Sequence, residues 1–355
     1  MTKVYVNGTG IISAQKTLGV ASFPEEIVSA ESVMMKCVEP NYKDYVSGDL
    51  VRRMSRLIKM GISASKVCLQ DAGCVMPDAI ITGTGLGCIE DTEKFLAGMI
   101  NNKEEFLTPT SFIQSTHNTV GAQIALLLKC HHYNFTYVHR GFSFESALLD
   151  AMLQIGEKRD MNILTGGLDE LTKNSFEITR RLGLWKRKPV NNLDLPASVS
   201  RGTIAGEGAA FFLLSGEKTT RSIASLSGLR MIFSPGNISE VVAGAMQLLE
   251  ENRLSAADLD LLMLGSSGDA RCDLPYHEFA SCFPKAARSC FKHLSGEYFT
   301  ASAFGMWLGS IILKEGIVPE VVKIQGDFTR PVKNILLYNH FRNLDHSLIL
   351  LRDTR

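Results

Sequence analysis

Short apolar runs of buried-strand character alternate with helical patterns along this chain, and the alternation runs its course twice. The first series is Val4 to Val6, Ala79 to Ile81, Phe135 to Val138, Asn162 to Leu164 and Ala209 to Leu214. The second is Ile223 to Phe233, Leu261 to Leu264, Ile335 to Tyr338 and Leu348 to Leu351. Strand-like runs separated by helix-length stretches predict crossover units and a largely parallel sheet. The expected class is therefore α/β, in two similar βαβ-rich halves, residues 1–216 and 217–355. No low-complexity or long Pro/Ser-rich linker divides them, so the halves are expected to form one compact unit. A chain of 355 residues can bury a large core without disulfides or metals.

The helices carry readable marks. Phe144, Ala147, Leu148, Ala151, Met152 and Ile155 share one helical stripe that stops at Gly156. An amphipathic stretch from Arg52 to Ala72 ends at Gly73. Asn237 with Glu240, and Ser255 with Asp258, have capping-box spacing or a near variant of it.

Composition excludes several classes. Lysine plus arginine equals aspartate plus glutamate, 37 each, which gives no electrostatic footprint for nucleic acid or an anionic membrane. The eight cysteines, Cys37, Cys68, Cys74, Cys88, Cys130, Cys272, Cys282 and Cys290, form no CxxC pair and no zinc-type cluster with histidine. They read as reduced thiols, and no metal or other cofactor is expected. The opening MTKVYVNGTGI lacks a signal peptide's apolar region, and no run of about 18 apolar residues occurs. The expectation is a soluble, cytoplasmic chain. GTGLG after a strand suggests a dinucleotide fingerprint, but the third glycine and the later acidic residue are missing.

Several segments, in order from end to end, resemble β-ketoacyl synthases, the condensing enzymes of fatty acid and polyketide assembly. VYVNGTGIIS is similar to the family's opening strand, RRMSRLIKMGISASKVCLQDAG to the helix after it, and ITGTGLGCIED to the next strand and turn. GEGAAFFLLS, from Gly206 to Ser215, resembles the GEGAG strand entry. The resemblance implies the thiolase fold, a layered αβαβα architecture.

The same resemblance locates the catalytic positions, and all three are changed. The family's nucleophile is a cysteine where a strand meets a buried helix, whose dipole and free N–H groups stabilise thiolate and oxyanion. In NFTYVHRGFSFESALLDAM, Gly141 falls at that place. The HGTxT histidine corresponds to Gly265 in LMLGSSGDARCDLPYHE, a segment anchored by Asp273 and Glu278. In KHLSGEYFTASAFG, Lys292 falls on the lysine and Glu297 on the histidine of KSxxGH. Gly141 removes the acyl acceptor, and losing one oxyanion donor costs on the order of 10²- to 10³-fold in rate. An ionised Glu297 would oppose an enolate by about 4 kcal/mol at about 4 Å and an effective dielectric near 20. In the glycine-rich gate, YNHFRNLDHSLILL keeps Asn339 and Phe341 but sets Arg342, Leu344 and Asp345 among the lost glycines.

The resemblance also places His139, Arg140, Ser143, Ser267, Lys292 and Phe341 along the substrate channel. Arg140 is expected to be buried and so to need a partner, with Glu145, Glu297 and Asp169 as candidates. Ser143, at the helix start, is either a first-turn residue or a nucleophile with His117, His131, His132 or His139. The CHH run at Cys130 reads as a solvated turn. Glu297, in the same loop as Lys292, is expected to pair with it.

TPTSFIQSTHNTVGAQIAL resembles the segment beside the family's dimer interface and acyl tunnel, and with HRGFSFE it is similar to synthase-like proteins of pigment and aryl-polyene clusters. This implies a non-elongating, chain-length-factor-like subunit working with acyl carrier protein and a ketosynthase partner, or with itself as a dimer. An active synthase or acyltransferase with an altered site, and an acyl-binding scaffold homodimer, are the alternatives.

Overall fold

An eleven-stranded sheet runs through the molecule in a computed structural model that describes residues 3–52, 54–105 and 109–355. The first series supplies β1 (Val4–Ile12), β2 (Ala79–Gly83), β3 (Tyr133–Tyr137), β4 (Asn162–Asp169) and β5 (Gly208–Ser215), in the order β3-β2-β4-β5-β1. The second supplies β6 (Ala224–Phe233), β7 (Leu261–Leu264), β8 (Ala287–Cys290), β9 (Asn334–Phe341) and β10 (Asp345–Arg352). Their order, β8-β7-β9-β10-β6, repeats the first. The two sets join where Val4 lies opposite Leu226.

The sheet is mixed, not largely parallel. Parallel pairing is confined to the neighbours of β2 and β7, and the other pairs run antiparallel. The apolar rhythm marks strands but not their direction. β9 and β10, for instance, are joined by a tight turn, which permits only antiparallel pairing. β8 was also silent in the sequence, because Ala-Arg-Ser-Cys shows neither alternation nor β-branched residues. The short strand Lys323–Gln325 then covers its outer edge.

Successive strand residues face opposite ways, and this sorts the core into layers. On the outer face of the first set, Ile80, Leu164 and Leu213 pack with Cys68 of α1 (Arg56–Ala72) and Ile124 of α2 (Thr119–Leu128). The alternate residues Ile81, Ile163 and Leu214 meet Phe144, Ala147 and Leu148 of α3 (Ser143–Glu157). In the second set, Leu262, Leu336 and Leu350 pack outward on α4 (Ile238–Glu251) and α5 (Leu274–Ser281). Met263, Leu337 and Ile349 pack inward on α6 (Ser302–Glu315). Thus α3 and α6 lie between the two strand sets, giving the expected αβαβα order.

The expected α3 stripe is present, running one residue past Gly156. Truncating a buried member such as Leu148 to alanine costs about 2–5 kcal/mol. α1 begins at Arg56 and ends at Gly73, whose φ of 67° lets it cap the helix; Arg53, within the expected stretch, lies outside the described residues. The glycines of VYVNGTGI allow β1 to touch α1: a Cβ on Gly10 would lie 2.1 Å from Ala64 O. Among the described residues no helix is long and apolar enough to cross a membrane.

Candidate functional site

β3 ends at Tyr137, Arg140 adopts a left-handed φ of 49°, and a single turn leads into α3. Gly141 sits in that turn, buried. Its N–H donates to Asp345 Oδ2 at 3.2 Å, so a carboxylate from the start of β10 caps the positive end of α3. Burial pushes the Asp345 carboxyl up, while this hydrogen bond and the charges of His139 and Arg140 pull it down. There is no room at Gly141 for a larger residue. A Cβ there would lie 2.7 Å from Phe341 Cβ and 2.8 Å from Asp345 Oδ2.

Ser143 is part of the same turn. Its Oγ donates to Arg140 O and accepts from His139 N–H, both at 2.8 Å, which is a local bond that shapes the backbone. No imidazole contacts that hydroxyl among the described residues. The expectation of a buried Arg140 is corrected: His139 and Arg140 are both exposed. The suggested partners are engaged elsewhere. Glu145 accepts from Ser347 Oγ at 2.8 Å, Glu297 pairs with Lys292, and Asp169 accepts from Gly85 N–H and Thr300. Arg140 follows the end of an edge strand, where a side chain can reach water without a partner. Glu145, fully buried on the first turn of α3, is pushed up to about 7 by desolvation, with serine hydroxyls pulling the other way. His131 and His132 lie in the exposed turn before β3.

The position that the resemblance matches to the family's second histidine, Glu297, is part of a charge pair. Lys292 Nζ lies 2.7 Å from Glu297 Oε2 and also donates to His340 O at 3.2 Å. The lysine side chain is 1% exposed, so the ion pair spares a buried cation from being unpaired. Burial raises the Glu297 carboxyl and Lys292 draws it back.

Around Gly265, which the resemblance matches to the first histidine, the space is filled by other side chains. A Cβ on Gly265 would lie 2.4 Å from Asn339 Oδ1 and 2.7 Å from Tyr276 Oη. Tyr276 stacks on the His340 imidazole with centroids 4.2 Å apart, and its hydroxyl accepts from His340 N–H at 2.9 Å. Nearby, Ser267 Oγ donates to Asp273 Oδ1 at 3.0 Å, and the Ser267 and Gly268 N–H groups also bond that carboxylate.

These residues border a cavity of about 250 Å³, lined among others by Trp185, Ser267, Cys272, Glu297, His340 and Phe341. A narrower apolar pocket of about 60 Å³ shares Leu184, Trp185, Glu297 and Phe341 with it. Gly141 lines neither. Phe341, its ring tilted against Phe299 with centroids 4.5 Å apart, covers it instead. The structure thus brings Ser267, Glu297 and Phe341 to one cavity, with Lys292 behind Glu297, and leaves His139, Arg140 and Ser143 apart from it. His340 was missed in the sequence, although it sits between Asn339 and Phe341 in the altered gate; Trp185 carried no signal.

The site has no thiol at Gly141 and its helix-end N–H is already bonded, so neither an acyl acceptor nor a free oxyanion donor is present there. No family model matches the chain, and no curated protein does. Solved structures do match. The ishigamide ketosynthase/chain length factor superposes with a TM-score of 0.80 over 100% of both chains at 16% identity. The fold is the thiolase fold of the ketosynthases. A β-ketoacyl synthase from Burkholderia phymatum STM815 gives the same score, coverage and identity. A ketosynthase in complex with its chain length factor from Xenorhabdus doucetiae gives 0.77 at 14% identity, over 99% of this chain and 98% of that one. The chain resembles both kinds of subunit in fold.

Proposed function

We propose that this chain is a non-elongating partner subunit of a ketosynthase, similar in role to a chain length factor and working on acyl chains held by acyl carrier protein. Its pathway is then polyketide or fatty acid biosynthesis of the aryl-polyene kind, in the cytoplasm. The observation that carries the reading is Gly141. Gly141, which the resemblance matches to the nucleophile's position, is closed in by Asp345 and Phe341, two residues of the second half. The halves, divided at Gly216, thereby lock each other.

The partner would add to β3, which lies at the open end of the sheet with Tyr133 and Phe135 44% and 46% exposed. An edge strand with unpaired N–H and C=O groups and exposed aromatic rings favours pairing with another strand. Such an interface buries more than about 2,000 Å². The segment from Pro109 to Leu128 lies in the helices preceding β3, while Thr108, the start of the quoted motif, lies outside the described residues.

The test is mass spectrometry of carrier-bound products after incubation with acyl- and malonyl-carrier protein. The chain alone, and its Gly141→Cys variant, are expected to give no elongated product, because neither restores the two histidine donors. Added to a ketosynthase that has its cysteine and both histidines, the chain is expected to change product yield or length. Elongation by the chain alone would overturn the reading, as would an intact ketosynthase that neither binds it nor responds to it.

A further inference from the structure

A second group of nucleophilic and basic side chains meets outside the site at Gly141. Lys186 is 2% exposed, and its Nζ lies 2.7 Å from Ser198 Oγ and 2.8 Å from Ser200 Oγ. Two carbonyls complete its surroundings, Gly268 O at 2.6 Å and Ser200 O at 3.2 Å. Lys186 forms no ion pair among the described residues. A buried ammonium without a counterion is costly. Burial pulls this amine below its ordinary 10.5, while the charges of Asp269 and Asp273 pull it back up.

Counting hydrogens shows what the cluster can do. The two carbonyls can only accept, so each takes one N–H of Lys186. A neutral amine has two N–H groups and one lone pair; with both hydrogens on carbonyls, the lone pair faces the serine hydroxyls. Ser198 Oγ lies 3.3 Å from Ser200 Oγ and accepts from Ser200 N–H at 3.4 Å, which sets one hydroxyl against the other. Ser200 stands on an exposed loop beside Val199, 89% exposed, while its amine partner is buried. The backbone fixes this arrangement. Lys186 N–H donates to Thr203 O at 2.8 Å, and Ala270 N–H donates to Ser200 O at 3.1 Å. Chain neighbours of the cluster, Trp185, Thr203, Ser267 and Asp269, line the cavity of about 250 Å³, so the serines lie beside that cavity.

We infer that Ser200 and Lys186 form a serine–lysine acyl-transfer centre that hydrolyses activated acyl esters and thioesters, with Ser198 as a positioning hydroxyl. A serine hydroxyl becomes a nucleophile only beside a base, and a desolvated amine does in Ser–Lys pairs what histidine does in Ser–His ones. Ser200 Oγ bonds to the acyl carbon while its proton passes to Lys186 Nζ. The C–S or C–O bond to the leaving group then breaks, and the thiol or alcohol departs with that proton. Water next adds to the serine ester and gives a proton to Nζ; the acid departs and the proton returns to Ser200 Oγ. The centre needs neither Gly141 nor a ketosynthase partner, and it makes no carbon–carbon bond.

The test is hydrolysis of p-nitrophenyl butyrate and butyryl-coenzyme A by the full chain. Ser200→Ala is expected to lower kcat/KM by about 100-fold or more. Labelling with a fluorophosphonate, followed by peptide mass spectrometry, should place the adduct on Ser200. The Ser200-dependent rate should rise with pH and level off, with a midpoint below 10.5, because only the unprotonated amine takes the proton. Lys186→Met should lose as much rate as Ser200→Ala; should that variant fail to fold, the serine variant, the adduct and the pH profile still decide. A Lys186→Met variant that loses melting temperature but keeps its rate would reduce the lysine to a loop clamp and overturn the centre. An adduct away from Ser200, or a Ser200→Ala rate equal to wild type, would also overturn it. Failure to hydrolyse either ester would do the same, leaving the partner-subunit reading to its own product assay.

Discussion

The turn from β3 into α3 and the turn from β8 into α6 hold matching places in the two halves, yet they are closed by different physics. At the first, space is the agent. Gly141 has no side chain, and Phe341 and Asp345 from the other half fill the volume and take its N–H. At the second, charge is the agent: Lys292 and Glu297 of one short loop neutralise each other in a nearly dry site. The first closure depends on residues 204 positions apart, the second on residues 5 apart. A buried turn can therefore be closed by packing or by pairing, and the two leave different energetic signatures.

The largest expected effect tests the pairing. Glu297→Gln leaves Lys292 buried without its counterion and should destabilise the fold by about 3–5 kcal/mol in urea unfolding. Adding Lys292→Met should recover most of the loss. A single variant as stable as wild type would show that the pair does not hold the turn.

The next effect belongs to Glu145 at the head of α3. Its folded-state value of about 7 stands above its ordinary 4.5, so the folded state binds the proton more tightly than the unfolded chain. Stability from this group is full below about pH 4.5, falls as the pH rises toward 7, and is level above. The drop is about 3 kcal/mol. Glu145→Gln should remove that slope, read as the difference between urea unfolding at the two ends of the window; parallel profiles for variant and wild type would refute it.

The smallest effect tests the packing. Gly141→Cys should cost about 1–3 kcal/mol, because its Cβ meets Phe341 and Asp345 and overpacking forces both to move. Combining it with Asp345→Ser should reduce the cost, as differential scanning calorimetry would show. A thiol accommodated without loss of melting temperature would mean that the space is open after all.

Much of this was legible in the chain. Periodicity disclosed the strands and the α3 stripe because burial alternates with period 2 or 3.6 whatever the topology. Pair direction was not, since a hairpin and a crossover can join equally apolar strands. Lys292 and Glu297 could be paired in advance because they share one short loop. Arg140 was misplaced because burial was carried over from the position it matches in the family the segment resembles; a long cationic side chain at that turn goes to solvent instead. The Asp345 cap joins the two halves, and no local pattern announces a bond between residues so distant in sequence.

The two ends of the sheet also differ, in a way that bears on how the protein behaves in concentrated solution. One end carries the exposed rings of Tyr133 and Phe135, while the other finishes in the three-residue strand Lys323–Gln325, whose lysine sits in an ion pair with Glu320. In the language of polymer chemistry the two ends differ in reactivity, the second being blunted by its short length and its lysine. Edge-to-edge coupling through the β3 end alone would stop at a pair, whereas a sheet equally reactive at both ends could propagate into filaments.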